Sequence, residues 1–382
     1  VVAAGAGSVG AGSHGRFSFP LHHPYRKMTT LSAIRSLLKK ALVLPVAAVA
    51  GLALGSCESI IYEDEGDCSV TYRLSFRFTK NVLDTDAFGS QVSDVSVAVY
   101  DKSGNLVLTQ TEQRELTPDN NYYMDLSVAP GTYDIIAWCM GRTPIADAVS
   151  FSLKGTSAAD PISSSAAVLP LNHVGLDISS DHDIKPLYYG MCSDVKVAGT
   201  YGTVNLGPVY LTKDTNHIIV QLQNVDGTEI DPAAFTFELE GANSNMDWLN
   251  LPTGSPQFTY RPWATSPTYS YFEREDDESR AMEEYVSSGV QVEFTTSRLM
   301  ANREQYLTVR LASTGERIFR VPLVEFLLLI RSEYDKAVSA QDYLDREDTY
   351  TVVFFMQDGL NWMKSKILIN GWRRVPPQHE NL

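Results

Sequence analysis

Residues 69–78 read SVTYRLSFRF, and this stretch decides the fold class. Every second position is apolar or aromatic, and the positions between them are polar or basic. A period of two places the two sets of side chains on opposite faces of a β-strand, so the pattern predicts a strand with one buried face. The side chains expected on that buried face are Val70, Tyr72, Leu74, Phe76 and Phe78.

Further short segments with strand patterns follow, separated by Gly, Pro and Asn. The additional strands predicted for a first domain are residues 92–100, 106–108, 123–128 and 133–138. The sequence DKSGN at 101–105 predicts a hairpin turn. About five short strands at close spacing are typical of an antiparallel β-sandwich.

A second domain repeats this organisation. The composition changes near residues 172–186, and we place the boundary between an N-terminal domain, 69–180, and a C-terminal domain, 181–382. The strands predicted in the C-terminal domain are residues 217–222, 235–239, 290–294, 306–311, 317–321, 350–356 and 364–370. The predicted fold is therefore all-β, with two antiparallel β-sandwich domains in tandem.

Two segments of the C-terminal domain do not have a strand pattern. Residues 323–331, LVEFLLLIR, have the length of a short helix and a buried composition. Residues 246–288 are long for a loop in a compact domain, so they are either a functional excursion or partly helical at 279–286.

A lipoprotein signal peptide is predicted before the first strand. Residues 41–54 carry no charge, follow a basic flank, and are too few to cross about 30 Å of hydrocarbon, which needs about 20 residues. The run ends in Leu54-Gly55-Ser56-Cys57, the pattern of a bacterial lipobox, in which the cysteine thiol takes the lipid. We therefore expect a signal peptide at 28–56, lipidation of Cys57 and an acidic tether at 57–68. Residues 1–27, which precede Met28, are expected to be an upstream, non-native extension.

Charge and cysteine content limit the possible partners. Six of the 31 basic residues and none of the 46 acidic residues precede Cys57, which leaves a formal net charge of −21 from there onward. Such a surface repels nucleic acid and anionic lipid, so membrane attachment is expected through acyl chains alone. Cys68, Cys139 and Cys192 permit one disulfide in an extracytoplasmic compartment, and the sequence leaves the pairing open.

No catalytic or metal-binding pattern is present in the sequence. Walker A, G-x-S-x-G and H-E-x-x-H motifs are missing. Asp181-His182-Asp183 is expected to be a solvated loop, because three consecutive side chains cannot all point at one ion. His217 is expected to cap or border a core, and the acidic run from Glu273 to Glu284 lacks the calcium-loop spacing. We predict no enzyme activity, no cofactor, no metal and no small-molecule substrate.

Aromatic residues in the 246–288 excursion leave an alternative function open. They are Trp248, Tyr260, Trp263, Tyr269 and Tyr271. They either form a carbohydrate-stacking platform, which would make the protein a surface glycan-binding lipoprotein, or they pack within loops. Three aromatic side chains on one exposed face, with polar side chains between them, would favour the glycan-binding alternative.

Several phrases resemble a known family. They are TYRLSFRFTKN (71–81), VSVAVYDKSGNLV (95–107), MDLSVAPGTYDIIAW (124–138), VEFTTSRLM (292–300), RIFRVPLVEFLLLIR (317–331), QDYLDREDTYTVVFFM (341–356) and WMKSKILINGWRRV (362–375). In order and spacing they are similar to the FimB-type fimbrial subunit family, the minor anchoring lipoproteins of type V fimbriae in the Bacteroides group.

This resemblance implies a structural role. It implies two transthyretin-like β-sandwich domains and a lipid on Cys57 that holds the protein in the outer membrane, with its domains exposed at the cell surface. It also implies partnership with fimbrial stalk subunits by strand exchange, a form of β-augmentation. Whether the chain is the basal anchor or another minor subunit stays open, although the uninterrupted strand at 69–78 suits a first strand that remains in its own sheet.

Overall fold

Strands make up most of the molecule. The computed structural model describes residues 69–374 except 159, 200, 226–227, 276–281, 335–336 and 358–360. The described strands are β1 Val70–Arg77, β2 Val92–Tyr100, β3 Leu106–Gln113, β4 Tyr123–Leu126, β5 Gly131–Gly141, β6 Ser152–Lys154, β7 Ala166–Val168, β8 Asn172–Val174, β9 Asp177–Ser180, β10 Leu187–Val197, β11 Gly202–Tyr210, β12 Thr212–Lys213, β13 Thr215–Asn224, β14 Phe235–Gly241, β15 Asn245–Met246, β16 Phe258–Tyr260, β17 Ala264–Glu275, β18 Met282–Ser297, β19 Tyr306–Leu311, β20 Arg317–Pro322, β21 Thr349–Gln357, β22 Asn361–Ile369 and β23 Trp372–Arg374.

Helices are short. The α-helices are α1 Phe88–Gln91, α2 Leu323–Leu327, α3 Arg331–Tyr334 and α4 Ala340–Arg346, and 3-10 turns lie at Ile162–Ser164, Pro232–Ala234 and Leu328–Ile330. Within the described ranges, none of these helices has the length and apolar character needed to cross a bilayer. The fold is all-β, as the alternating sequence patterns predict.

The first sandwich consists of two sheets. A three-stranded sheet in the order β11-β1-β4 packs on a five-stranded sheet in the order β12-β10-β5-β2-β3. Leu74 and Phe76 of β1 share one buried apolar cluster with Val97 of β2, Ile135 of β5 and Tyr188 of β10. The predicted inward face of residues 69–78 is therefore confirmed.

The second sandwich is larger. Its two six-stranded sheets have the orders β17-β18-β13-β21-β22-β23 and β20-β19-β14-β16-β9-β8. Val220, Phe319 and Phe354 lie in its core, and the same apolar cluster extends to Trp138 and Tyr189 on the other face of the five-stranded sheet. The central strand β5 of that sheet is consequently buried on both faces, which ties the two sandwiches together through side-chain packing.

Strand pairing crosses the boundary that we placed after residue 180. Residues 172–180, in β8 and β9, extend a sheet of the second sandwich, where Ser179 pairs with Thr259 of β16. Residues 187–213, in β10 to β12, return to the first sandwich, where β10 pairs with β5 and β11 with β1. The sheets therefore do not follow a division at 180/181, because strand partners are chosen by long-range packing that local composition does not record.

Three of the described strand pairs are parallel, β1 with β11, β9 with β16, and β13 with β21, and the others are antiparallel.

The helical alternative for residues 279–286 is wrong where the structure describes them, because 282–286 belong to β18, which pairs with β17 from Ala264 to Glu275. Residues 323–331 are helical, as predicted, through α2, the 3-10 turn and the start of α3. The sequence patterns missed α4, whose cap Ser339 accepts a hydrogen bond from the backbone N–H of Asp342 at 3.1 Å.

Candidate functional site

Strand β1 occupies the centre of the three-stranded sheet. It runs parallel to β11, with register pairs from Val70↔Gly202 to Arg77↔Tyr210, and antiparallel to β4, with Ser75↔Tyr123 among its pairs. A central strand has its backbone hydrogen bonds satisfied on both sides, so β1, the first of the described strands, fills its own sheet.

The inward side chains of β1 are almost fully buried. Leu74 and Phe76 are 1% and 0% exposed, Tyr72 is 4% exposed, and Phe78, directly after the strand, is 2% exposed. At about 1.5–3 kcal/mol for each fully buried side chain, these four contribute roughly 6–12 kcal/mol of gross stabilisation. Since whole domains are stable by only about 5–15 kcal/mol, the first sandwich cannot lose β1 without a replacement strand.

An aromatic cluster holds the C-terminal half of β1. The Phe76 ring stacks on Phe88 with centroids 5.5 Å apart, and Tyr122 lies 5.8 Å from each of them. Phe78 makes an edge contact with Tyr188 of β10 at 5.1 Å. The strand is thus packed against both the opposite sheet and the segment that leads into β4.

Asp86 fastens the end of β1. Its carboxylate accepts hydrogen bonds from the Phe78 N–H at 2.9 Å, the Arg77 guanidinium at 2.8 Å and the Asn120 amide at 2.7 Å. Partial burial raises the pKa of this carboxyl, but these bonds and one from the Phe88 N–H outweigh the burial, so the pKa is lowered overall. Asp86 is therefore held ionised as a polar clamp on the strand end.

The loop that follows β1 is clasped by α4 of the second sandwich. Lys80 Nζ donates to Asp345 Oδ2 at 2.7 Å and lies 3.5 Å from Asp342. Arg346 of the same helix bonds Asp84 and also Asp342. Residues separated by more than 260 positions in the chain are thereby joined by ionic contacts directly behind the first strand.

A buried ionic network continues from this clasp. Arg298 donates to Asp345 at 2.8 and 3.0 Å and lies 3.7 Å from Asp214, whose Oδ1 accepts from Asn250 at 2.9 Å. Burial raises the pKa of the fully buried Asp214 to about 7 despite the opposing effects of Arg298 and Asn250. Burial also acts to raise the pKa of Asp345, but hydrogen bonds from Arg298 and Lys80 outweigh it and lower that pKa. The network thus contains one firmly ionised carboxylate and one that titrates near neutrality.

The Asp181-His182-Asp183 motif is not a metal cluster. Asp183 is buried and accepts hydrogen bonds from Thr143 at 2.6 Å and Thr295 at 2.5 Å, whereas Asp181 is exposed and its carboxylate lies 2.7 Å from His182 Nδ1. Among the residues described, no three His, Cys, Asp or Glu side chains converge as ligands for a metal ion. The solvated-loop expectation holds for Asp181 and is wrong for Asp183, which joins the loop to β18.

His217 lies in a polar cluster that the sequence did not reveal. Its Nε2 is 2.9 Å from Glu293 Oε2 on the paired strand β18, and its ring centroid is 5.9 Å from that of Trp263. Cross-strand pairing brings His217 opposite Thr295, so this cluster depends on the β13–β18 register. The expected core-edge position of His217 is consistent with its half-buried side chain, but its partners were not predictable locally.

The aromatic residues of the excursion do not share one exposed face. Tyr260 is 1% exposed and donates to Asn243 at 2.9 Å, whereas Tyr269 is 52% exposed. Trp248 and Trp263 are half-buried, and the side chain of Tyr271 lies outside what the structure describes. These four described aromatics therefore do not form the stacking platform that the glycan-binding alternative required.

Two cysteines fall within the described residues. Cys139 in β5 is buried and Cys192 in β10 is half-buried, and both are free thiols. Burial raises the pKa of both thiols, so they behave as packing residues at neutral pH. Cys57 and Cys68 lie outside the described residues, as do residues 1–27, the predicted signal peptide at 28–56 and part of the acidic run from Glu273 to Glu284.

Comparison with known proteins identifies the family. The fimbrillin-A associated anchor proteins Mfa1 and Mfa2 match residues 64–375. The chain belongs to this family. A search of curated protein sequences gives no match. The family match confirms the resemblance found in the sequence. The family is associated with cell-surface fimbriae and their subunits. It is a structural and adhesive family rather than an enzymatic one.

Solved structures share the fold. A candidate adhesin from Bacteroides thetaiotaomicron is 30% identical with a TM-score of 0.66, covering 80% of this chain and 97% of its own. A candidate polysaccharide-binding protein from the same organism is 24% identical with a TM-score of 0.67, covering 82% and 100%. The fimbrial anchor protein Mfa2 from Porphyromonas gingivalis is 17% identical with a TM-score of 0.54, covering 80% and 99%.

Proposed function

We propose that this protein anchors a type V fimbrium to the bacterial outer membrane through a lipid on Cys57, with its sandwiches at the cell surface. The observation that carries the proposal is β1, the first described strand after the expected lipidation site, which is paired on both sides and buried in its own sheet. A subunit within a polymer needs an open groove for the next subunit, whereas a basal subunit needs a closed end toward the membrane.

The position of β1 suits transmission of force. Cys57 precedes Ser69 by 12 residues, a tether of at most about 40 Å when extended. A pull along the axis of β1 acts on its hydrogen bonds to β11 and β4 together, rather than on one pair at a time. Beyond the strand, the ionic contacts of Lys80 and Asp84 with α4 pass the load to the second sandwich.

We further propose that a fimbrial stalk subunit adds by strand complementation at a sheet edge and does not replace β1. Removal of β1 by proteolysis would need a cut after an arginine in or beyond the strand, and the three candidates are engaged. Arg73 binds Asp125 through two hydrogen bonds, Arg77 binds Asp86, and Arg114 donates to two backbone carbonyls. Excision would also remove the buried side chains of β1 from the core. Retention of β1 is therefore the expected state of the assembled anchor.

Genetic deletion and one substitution test the anchoring role. A strain lacking the protein should shed fimbriae into the medium or make them of altered length. Cys57→Ala should release the protein from the membrane fraction and give the same phenotype, because the thiol is the acceptor of the lipid. Cys192→Ala, which alters a thiol within the folded domain, is the matched control and should leave both properties unchanged. Normal, firmly attached fimbriae in the deletion strain would refute the anchoring role.

A further inference from the structure

A cavity of about 380 Å³ lies on the outer face of the sheet that contains β13 and β18. His217, Glu293 and Trp263 line one side of it, and the segments around Arg142 and Asp183 line the other. Its volume falls at the small end of the range for small-molecule sites, about 300–1,000 Å³. The cavity is separate from β1 and from the clasp between Lys80 and α4.

The polar atoms around this cavity are positioned by the protein. The His217–Glu293 contact at 2.9 Å is buttressed by Gln291, which donates to the other Glu293 oxygen at 3.1 Å. Asp183 is held by Thr143 and Thr295 at 2.6 and 2.5 Å. A rigid set of carboxylate, imidazole and hydroxyl groups therefore faces one space, as a preorganised binding site requires.

Two residues that line the cavity each hold a buried polar atom without a hydrogen-bond partner among the described residues. These atoms are the indole N–H of Trp263 and the hydroxyl of Thr215. A buried donor without an acceptor is costly and rare in folded proteins. These two atoms have almost no accessible surface, whereas the side chains of His217 and Glu293 are 35% and 22% exposed and are the polar groups that a ligand in the cavity can reach.

Charge selects the class of ligand. Arg142 and Lys213 line the cavity together with the carboxylates of Asp183 and Glu293, and Lys213 is already paired with Asp348 at 2.5 Å. No surplus of positive charge is left to hold a phosphate or a carboxylate. The mixture of donors and acceptors beside an aromatic ring instead matches a neutral sugar, which presents hydroxyl groups at its edge and C–H groups on its face.

We propose that this cavity binds a neutral sugar unit of a surface glycan. Trp263 contacts the apolar face of the ring, and Glu293 and His217 bind its hydroxyl groups. The site is not the aromatic platform considered from the sequence, because it uses one tryptophan with a polar pair rather than three exposed aromatics. It goes beyond anchoring, because it would let the base of the fimbrium contact the glycan layer of a cell.

Binding of defined glycosides to the purified full chain tests the proposal. The probes are the methyl glycosides of glucose, galactose, mannose and N-acetylglucosamine, with methyl glucuronide as the acidic counterpart, and calorimetry or ligand-observed NMR measures affinity. At least one neutral glycoside should bind, and more tightly than the glucuronide. Trp263→Ala and Glu293→Gln should each weaken that binding about tenfold or more, whereas Tyr269→Ala, an exposed aromatic on the adjacent strand, should not.

Glu293→Gln keeps the size of the side chain, so it tests the site even where Trp263→Ala perturbs folding, and thermal unfolding verifies both variants. The proposal is overturned by failure of every neutral glycoside to bind, by tighter binding of the glucuronide, or by unchanged affinity in Glu293→Gln. None of these outcomes bears on the anchoring role, which the attachment of fimbriae measures separately.

Discussion

Replacement of Phe76 by alanine should strongly destabilise the first sandwich. The Phe76 side chain is 0% exposed and packs against Phe88 and Tyr122 with ring centroids 5.5 and 5.8 Å away. The backbone of β1 would still pair with β4 and β11, so the substitution removes packing without removing the strand. It therefore measures how much side-chain burial holds the proposed closed groove together.

The expected cost has two parts. Loss of the buried ring forfeits a transfer free energy of about 1.5–3 kcal/mol, and the cavity left between the two sheets adds to it. Phenylalanine-to-alanine substitutions in cores cost about 3–5 kcal/mol in total. We expect the upper part of that range, because both aromatic neighbours are fixed by their own contacts: Tyr122 donates to Glu112 at 2.8 Å, and Phe88 lies in α1.

Urea unfolding followed by circular dichroism measures this cost. The midpoint should fall while the slope against urea stays the same, since the surface exposed on unfolding changes little. Tyr201→Ala, which removes an aromatic side chain that is 76% exposed, is the control and should change the free energy of unfolding by less than about 0.5 kcal/mol. A loss below about 1 kcal/mol for Phe76→Ala would refute the assignment of Phe76 to an essential core.

Asp345→Asn should lower the free energy of unfolding by about 3–5 kcal/mol, because it leaves the buried Arg298 without its main partner. The control is Asp125→Asn, in an exposed pair with Arg73, which should cost less than about 1 kcal/mol. Equal costs of the two substitutions in urea titrations would contradict the burial argument. Asp214 binds its proton more tightly when folded, with a pKa of about 7 against an ordinary value near 3.8, so its stabilising effect is complete below about pH 4 and is lost as the pH rises through 7. The stability of Asp214→Asn relative to the wild type should therefore rise between pH 4 and 7 and stay constant above pH 7, with a total rise on the order of 4 kcal/mol at most. A stability difference that is constant over pH 4.5–8 in the same titrations would count against a buried, titrating carboxyl.

Local sequence patterns predicted many strands within a few residues. The alternation in 69–78 corresponds to β1, and the hairpin around 101–105 corresponds to β2 and β3. The same reading missed β10 and β11, in which buried and exposed positions do not alternate regularly, and it missed α4. At the start of β10, consecutive residues are buried on both faces, so the period of two is lost because each face packs against protein instead of water. Strand β11 lies at the edge of its sheet and is mostly exposed or half-buried, so it has no continuous apolar face to mark it in the sequence.

Site prediction was limited in a different way. The roles of Asp86, Asp345 and Glu293 depend on partners in other segments, Phe78, Lys80 and His217, which lie 8, 265 and 76 positions away, and no short motif marks them. Asp183 looked like part of a solvated loop because its sequence neighbours are polar, yet two threonines from distant segments bury it. Polar residues gain such roles only where the fold removes them from water and supplies a partner.

The sequence by itself determined the class of structure, the inward face of β1 and the fimbrial family, because each rests on a pattern within a short segment or on ordered phrases; lipidation of Cys57 stays a prediction from the same kind of pattern. Only the tertiary structure decided which strands pair across residue 180, that β1 is enclosed by β4 and β11, and that His217, Glu293 and Trp263 line one cavity. The physical reason is that strand register and burial depend on contacts between distant segments, and these contacts exist only when the whole core has formed.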